Sequence, residues 1–82
     1  MGRFFFHVKS GDELIPDEEG EELPDVAAAK REAERSAREI LCEAIKAGKA
    51  DVPDAFVIAD EAGRTLHVLP LVAVLPERPT KK

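Results

Sequence analysis

The sequence predicts an α+β fold: two layers, with a small, mainly antiparallel sheet of ββαββ order packed on one long helix. Three observations carry this. Residues 26–47, VAAAKREAERSAREILCEAIKA, repeat small and aliphatic residues at helical spacing. The runs before and after it, RFFFHV, AFVIA and RTLHVL, are short, apolar and bounded by turn residues. With 82 residues there is room for one domain, expected over 1–75, with 76–82 as a flexible polar tail.

Residues 3–9 open the chain as a strand. Alternation places Phe4, Phe6 and Val8 on one face and Phe5, His7 and Lys9 on the other. The wholly apolar set is the better core. Ser10-Gly11-Asp12 turns the chain, and Glu13-Leu14-Ile15 returns beside the first strand until Pro16, which has no N–H to donate. Asp17-Glu18-Glu19-Gly20 reads as a turn closed by a left-handed glycine, and the same form recurs at Asp60-Glu61-Ala62-Gly63. Shared turn chemistry explains the recurrence better than an internal repeat.

Asp25 is a strong helix N-cap and Gly48 a natural stop. At 100° per residue, Val26, Ala29, Ala33, Ala37, Ile40, Ala44 and Ala47 share one side, with Leu41 beside them. Arg31, Arg35, Glu39, Cys42 and Lys46 lie opposite. Glu34 with Arg38, and Arg35 with Glu39, are spaced to pair on this polar side. At ~1.5 Å per residue such a helix spans about 33 Å, against about 23 Å for a seven-residue strand. Its last turns, around Ile45, are therefore expected to overhang the sheet.

Residues 55–59, the 60–63 turn and residues 64–69 form a β-hairpin. Alternation groups Phe56 and Ile58 with Leu66 and Val68 as core, and turns Val57, Thr65, His67 and Leu69 outward. Pro70 interrupts the second strand. Residues 71–75, LVAVL, are too short to assign to strand or helix by periodicity.

Composition narrows the function. A formal charge of −5 argues against a nucleic-acid binder and against anionic lipid. One cysteine, Cys42, excludes an internal disulfide and a multi-cysteine zinc site. Phe4-Phe5-Phe6 is too short for a signal peptide, and nothing approaches the ~20 apolar residues of a membrane span. The expected setting is cytoplasmic.

The layout R-F-F-F-H-V, then D-E-E-G-x-E-L-P-D before an alanine-rich helix, then D-E-A-G-R in the hairpin, resembles a family of short, uncharacterised alphaproteobacterial proteins catalogued as a domain of unknown function. The resemblance covers residues 3–70. It implies a small bacterial α+β domain, and it carries over no activity and no functional residue.

Each candidate site has a bland counterpart. His7 and His67, each on the outward side of its strand and within reach of each other if those strands are neighbours, are the weak candidates for a metal site, but no third ligand stands at a recognisable spacing. Two exposed histidines are the simpler reading. Arg38 and Lys46 flank Cys42 and favour a thiolate, yet no base is placed beside it. The acidic stretch 12–25 lacks the glycine position of a calcium loop, so solvated turns and a helix cap account for it. No catalytic residue and no cofactor is expected. The informative feature is the second sheet face, because one helix covers only one side. Phe5, Val57 and Leu69 there, with Ile45 on the overhang, form the expected interaction surface. Either residues 71–75 fold over that face or another subunit does, and a homodimer is the commonest symmetric solution. The function favoured is a non-enzymatic protein-interaction module. An antitoxin-like regulatory partner is the alternative, and an enzyme or metal-binding domain is disfavoured.

Overall fold

Strand β1 (Gly2–Ser10) is the spine of the sheet, as its aromatic and β-branched run foretells. The computed structural model describes residues 2–75; the expected tail at 76–82 lies outside the described residues. Along one edge, β1 pairs antiparallel with β2 (Glu13–Ile15) at its C-terminal end and with β3 (Glu21–Leu23) at its N-terminal end. On its other edge it pairs with β4 (Ala55–Ala59), which pairs with β5 (Thr65–Pro70). The architecture is an antiparallel sheet of five strands with one long helix, so the expected class holds and one short strand, β3, is added.

Helix α1 (Val26–Ala47) begins and ends where its caps dictate. The Asp25 carboxylate accepts from the Ala28 N–H at 2.9 Å. At the other end Gly48, with φ 69°, lets the N–H groups of Gly48 and Lys49 reach the carbonyls of Ile45 and Ala44. The buried face is small: Ala28, Ala29, Ala33 and Ala37 are buried, and Ile40 and Leu41 pack partly against the core. Alanine brings the helix backbone close to the rings of Phe4 and Phe56. On the polar side Arg35 bridges Glu39 at 2.8 Å and also takes Glu32. Glu34 with Arg38 is not among the ion pairs of the described residues.

The core joins these alanines to Phe4, Phe56, Ile58, Leu69 and Leu71. Here one expectation is corrected. Leu69 is buried at 7% exposure, whereas Leu66 and Val68 are 36% and 47% exposed. The cause is a β-bulge. Ala59 pairs with Thr65 but Ile58 pairs with His67, so Leu66 is an extra residue and the alternation of β5 shifts by one. Leu69 and His67 therefore share the helix-side face, and Val68 turns outward.

The open assignment of residues 71–75 is also resolved. Leu71–Val74 form a single 3₁₀ turn with Leu71 buried. It packs against α1, on the helix side of the molecule, and so does not fold over the outer sheet face.

Candidate interaction face

The outer face is built by strand register. Directly paired residues share a face, so it carries three rows: Phe5, Ala59 and Thr65; His7, Val57 and Val68; Leu14, Lys9, Ala55 and Pro70. Ala55 and Ala59 are buried and Phe5, His7 and Val57 half-buried, while Leu14 is 54% exposed. Phe5 and His7 stack with ring centroids 6.4 Å apart and planes 19° from parallel. The result is a low, largely apolar surface with Val57 near its centre.

One border of this face is made by the 16–20 turn. Between the stretches of β1 paired to β3 and to β2, the residues Phe5, Phe6 and His7 have no strand beside them on that edge. Asp17 fills the gap. Its Oδ2 accepts from the Phe6 N–H at 3.1 Å, its own N–H donates to His7 Nδ1 at 2.9 Å, and its Oδ1 accepts from the N–H groups of Glu19 and Gly20. Burial pushes the Asp17 carboxyl up, but the hydrogen bonds from Phe6, Glu19 and Gly20, helped by the charge of His7, outweigh it and hold the group below its usual value. Arg3 ties the far side of the turn, donating to the Glu19 carbonyl at 2.8 Å and reaching Glu22 at 3.5 Å. Gly20, with φ 71°, is required twice over: a Cβ there would lie 2.9 Å from Arg3 Cγ and from a Phe5 ring carbon.

The candidate residues are not brought together as one site. His7 pairs with Val57 and His67 with Ile58, adjacent residues of β4, so the two imidazoles lie on opposite faces of the sheet. Among the described residues, no three of His, Cys, Asp and Glu come together as a metal group. Phe5 and Val57 do sit on the outer face. Leu69, expected with them, belongs to the core, and its place is taken by Val68. Leu14 joins them from β2, a position that sequence alternation across one strand cannot assign to a face.

Ile45 stands apart from the sheet. It is 73% exposed and, with Arg38, Leu41, Cys42, Val74 and Leu75, lines an apolar cleft of about 210 Å³ between the end of α1 and the 3₁₀ turn. The overhang is thus only partly covered by the C-terminal segment. Cys42 is exposed on the rim of this cleft, with Arg38 beside it. Among the described residues no helix is long and apolar enough to cross a membrane.

The three motifs that carry the layout now have structural meanings. In D-E-E-G-x-E-L-P-D, Asp17 docks the turn, Gly20 passes under Phe5, Leu23 packs against the core and Asp25 caps the helix. F-H-V supplies the receiving strand, and D-E-A-G-R closes the β4–β5 hairpin through Asp60 and Arg64. No curated protein and no solved structure matches the chain. A family model matches residues 3–73, nearly the whole described chain, and by that match the chain belongs to the family described as Domain of unknown function (DUF6894).

Proposed function

We propose that this chain is a small, non-enzymatic interaction module of the cytoplasm that self-associates through its outer sheet face. One observation supports this above the others: the helix and the 3₁₀ turn both cover the same side, leaving Val57, Val68 and Leu14 on the outer face covered by neither, beside Phe5, which is half-buried over Gly20. Water against such a surface is costly, at roughly 25 cal/mol per Å² of apolar area. A two-fold pairing of the face with itself removes that area on both copies at once. The central His7, Val57 and Val68 row is low enough for two sheets to approach at the ~10 Å spacing of packed sheets.

Sedimentation equilibrium at about 100 µM tests the reading, a concentration that captures even weak pairing. The expected result is a dimer for wild type and a monomer for Val68→Asp, whose side chain is half exposed on an edge strand, so the fold survives the change. Unchanged circular dichroism of the variant confirms that survival. A wild-type monomer at this concentration overturns self-association.

A further inference from the structure

We propose that the sheet is closed to strand addition at both edges, with Pro70 as the residue that closes the β5 edge, so that one copy does not extend its sheet into that of another. A strand at the edge of a sheet presents a row of unpaired N–H and C=O groups, ready to take up a further strand. Among the described residues no strand pairs with the outer edge of β5. Which groups that edge presents follows from the phase of the ladder, carried across the sheet from one hydrogen bond.

In an antiparallel sheet the N–H and C=O of one residue point to the same neighbour, and successive residues alternate. The Phe6 N–H points to the β2–β3 side of β1, where Asp17 accepts it. Phe5, His7 and Lys9 therefore point to β4, towards Ala59, Val57 and Ala55, their partners in register. Phe56 and Ile58 then turn to β5, towards Leu69 and His67. The Leu71 N–H, which donates to the Asp54 carbonyl at 3.0 Å, continues the same phase from the other end of β5. Val68 and Pro70 are left facing outward. Proline has no N–H, so across residues 67–70 the edge offers a single donor, on Val68. Ahead of that stretch the extra residue, Leu66, breaks the regular spacing.

The other edge is closed by different means. Strands β2 and β3 are three residues each and carry the exposed Glu13, Glu21 and Glu22. A second copy brought edge to edge there sets carboxylate against carboxylate. By contrast β5 has no charged residue, so backbone geometry alone guards it. That makes Pro70 decisive. Any other residue there would present a second outward N–H in step with Val68, the repeating pattern that an added antiparallel strand needs. Closure of the edges does not rest on the pairing of the outer face proposed above. Where that face does pair, closed edges stop the assembly at two copies.

Amide exchange read by NMR, with sedimentation velocity beside it, tests the closure. In wild type the Val68 amide should exchange within about tenfold of the rate of an unstructured chain, while those of His67 and Leu69 stay protected. Pro70→Val supplies the missing donor, and the backbone angles there, φ −63° and ψ 138°, suit valine. At about 100 µM, where even weak association registers, this variant should form species larger than wild type, and its Val68 amide should become protected. Pro53→Val, which removes a proline from the loop before β4, should keep the wild-type size. The wild-type size itself, one copy or two, bears on the outer face alone. A protected Val68 amide in wild type overturns the proposal. So does a Pro70→Val variant of native circular dichroism and wild-type size, or equal growth in Pro53→Val.

Discussion

The turns at Asp17 and Asp60 share the letters D-E-x-G, an aspartate side chain folded back on the turn and a left-handed glycine, yet they hold different things. In both, the aspartate Oδ1 accepts from the backbone N–H two residues on, at 3.2 Å from Glu19 and 3.0 Å from Ala62. In both, the glycine is left-handed, at φ 71° and 85°. They part first at the glycine N–H, which donates to Asp17 Oδ1 in one and to the Asp60 carbonyl in the other, and then at the second carboxylate oxygen. Asp60 gives it to Arg64, four residues away, which donates from Nε and Nη2, each at 2.9 Å; the loop closes on itself. Asp17 gives it to the Phe6 N–H, eleven residues away, and the loop becomes part of the sheet. A turn code read locally says where the chain reverses. What the turn costs to lose depends on the partner it finds elsewhere.

The two glycines separate the turns most strongly. A Cβ at Gly63 meets nothing within 4 Å, so Gly63→Ala incurs only the left-handed backbone penalty of roughly 1–2 kcal/mol. A Cβ at Gly20 meets Arg3, Phe5 and the Phe4 carbonyl at 2.9–3.0 Å, adding about 1–3 kcal/mol of overpacking to the same penalty. Urea unfolding should therefore place Gly20→Ala well below Gly63→Ala in midpoint. Equal midpoints would mean that the Asp17 turn sits on the sheet loosely.

Removing the aspartates asks the same question of the hydrogen bonds. Asp17→Ala leaves the Phe6 N–H, part-buried on the central strand, without its acceptor, at a cost of about 1–3 kcal/mol. Asp60→Ala frees N–H groups that water can reach, so its thermal midpoint should fall less than that of Asp17→Ala. The reverse order would move the weight of the fold from β1 to the hairpin.

These features show what a single sequence makes legible. The helix is readable because its signals are local: Asp25, the alanine and isoleucine spacing, and Gly48 all act within a few residues. So is the hairpin, whose Asp60 and Arg64 bond within one loop. The phase of β5 is not, because Leu66 is an extra residue accommodated by pairing across to β4, and alternation counted along one strand cannot register it. The docking of Asp17 is hidden for the same reason, its partners being Phe6 and His7 on another strand. Of the outer face, Phe5 and Val57 follow from alternation. Val68 and Leu14 required the pairing itself.

The smallest effect, and the one that best separates the two aspartates, is their response to acid and salt. At Asp60 the Arg64 N–H lowers the carboxyl first; burial opposes it, and the Arg64 side chain and the Ala62 N–H add to the lowering. At Asp17 burial is the largest single influence and raises the group, but the backbone bonds of Phe6, Glu19 and Gly20, together with His7, leave it lowered overall. A carboxyl lowered in the folded state contributes stability that is complete above its unfolded pKa, roughly 3.9, and is lost as pH falls through the lower folded value. Wild-type melting temperature should thus drop in that acid window, and Asn at either position should flatten the drop. Salt should then tell them apart. The Asp60 contribution includes an ion pair with an exposed arginine and is screened. That of Asp17 rests mainly on backbone N–H groups and persists. Melting curves of both Asn variants across this window, at low and high salt, should show a salt-dependent difference from wild type at Asp60 and a nearly constant one at Asp17. The same salt dependence at both would mean that the Asp17 turn is held by charge rather than by the sheet.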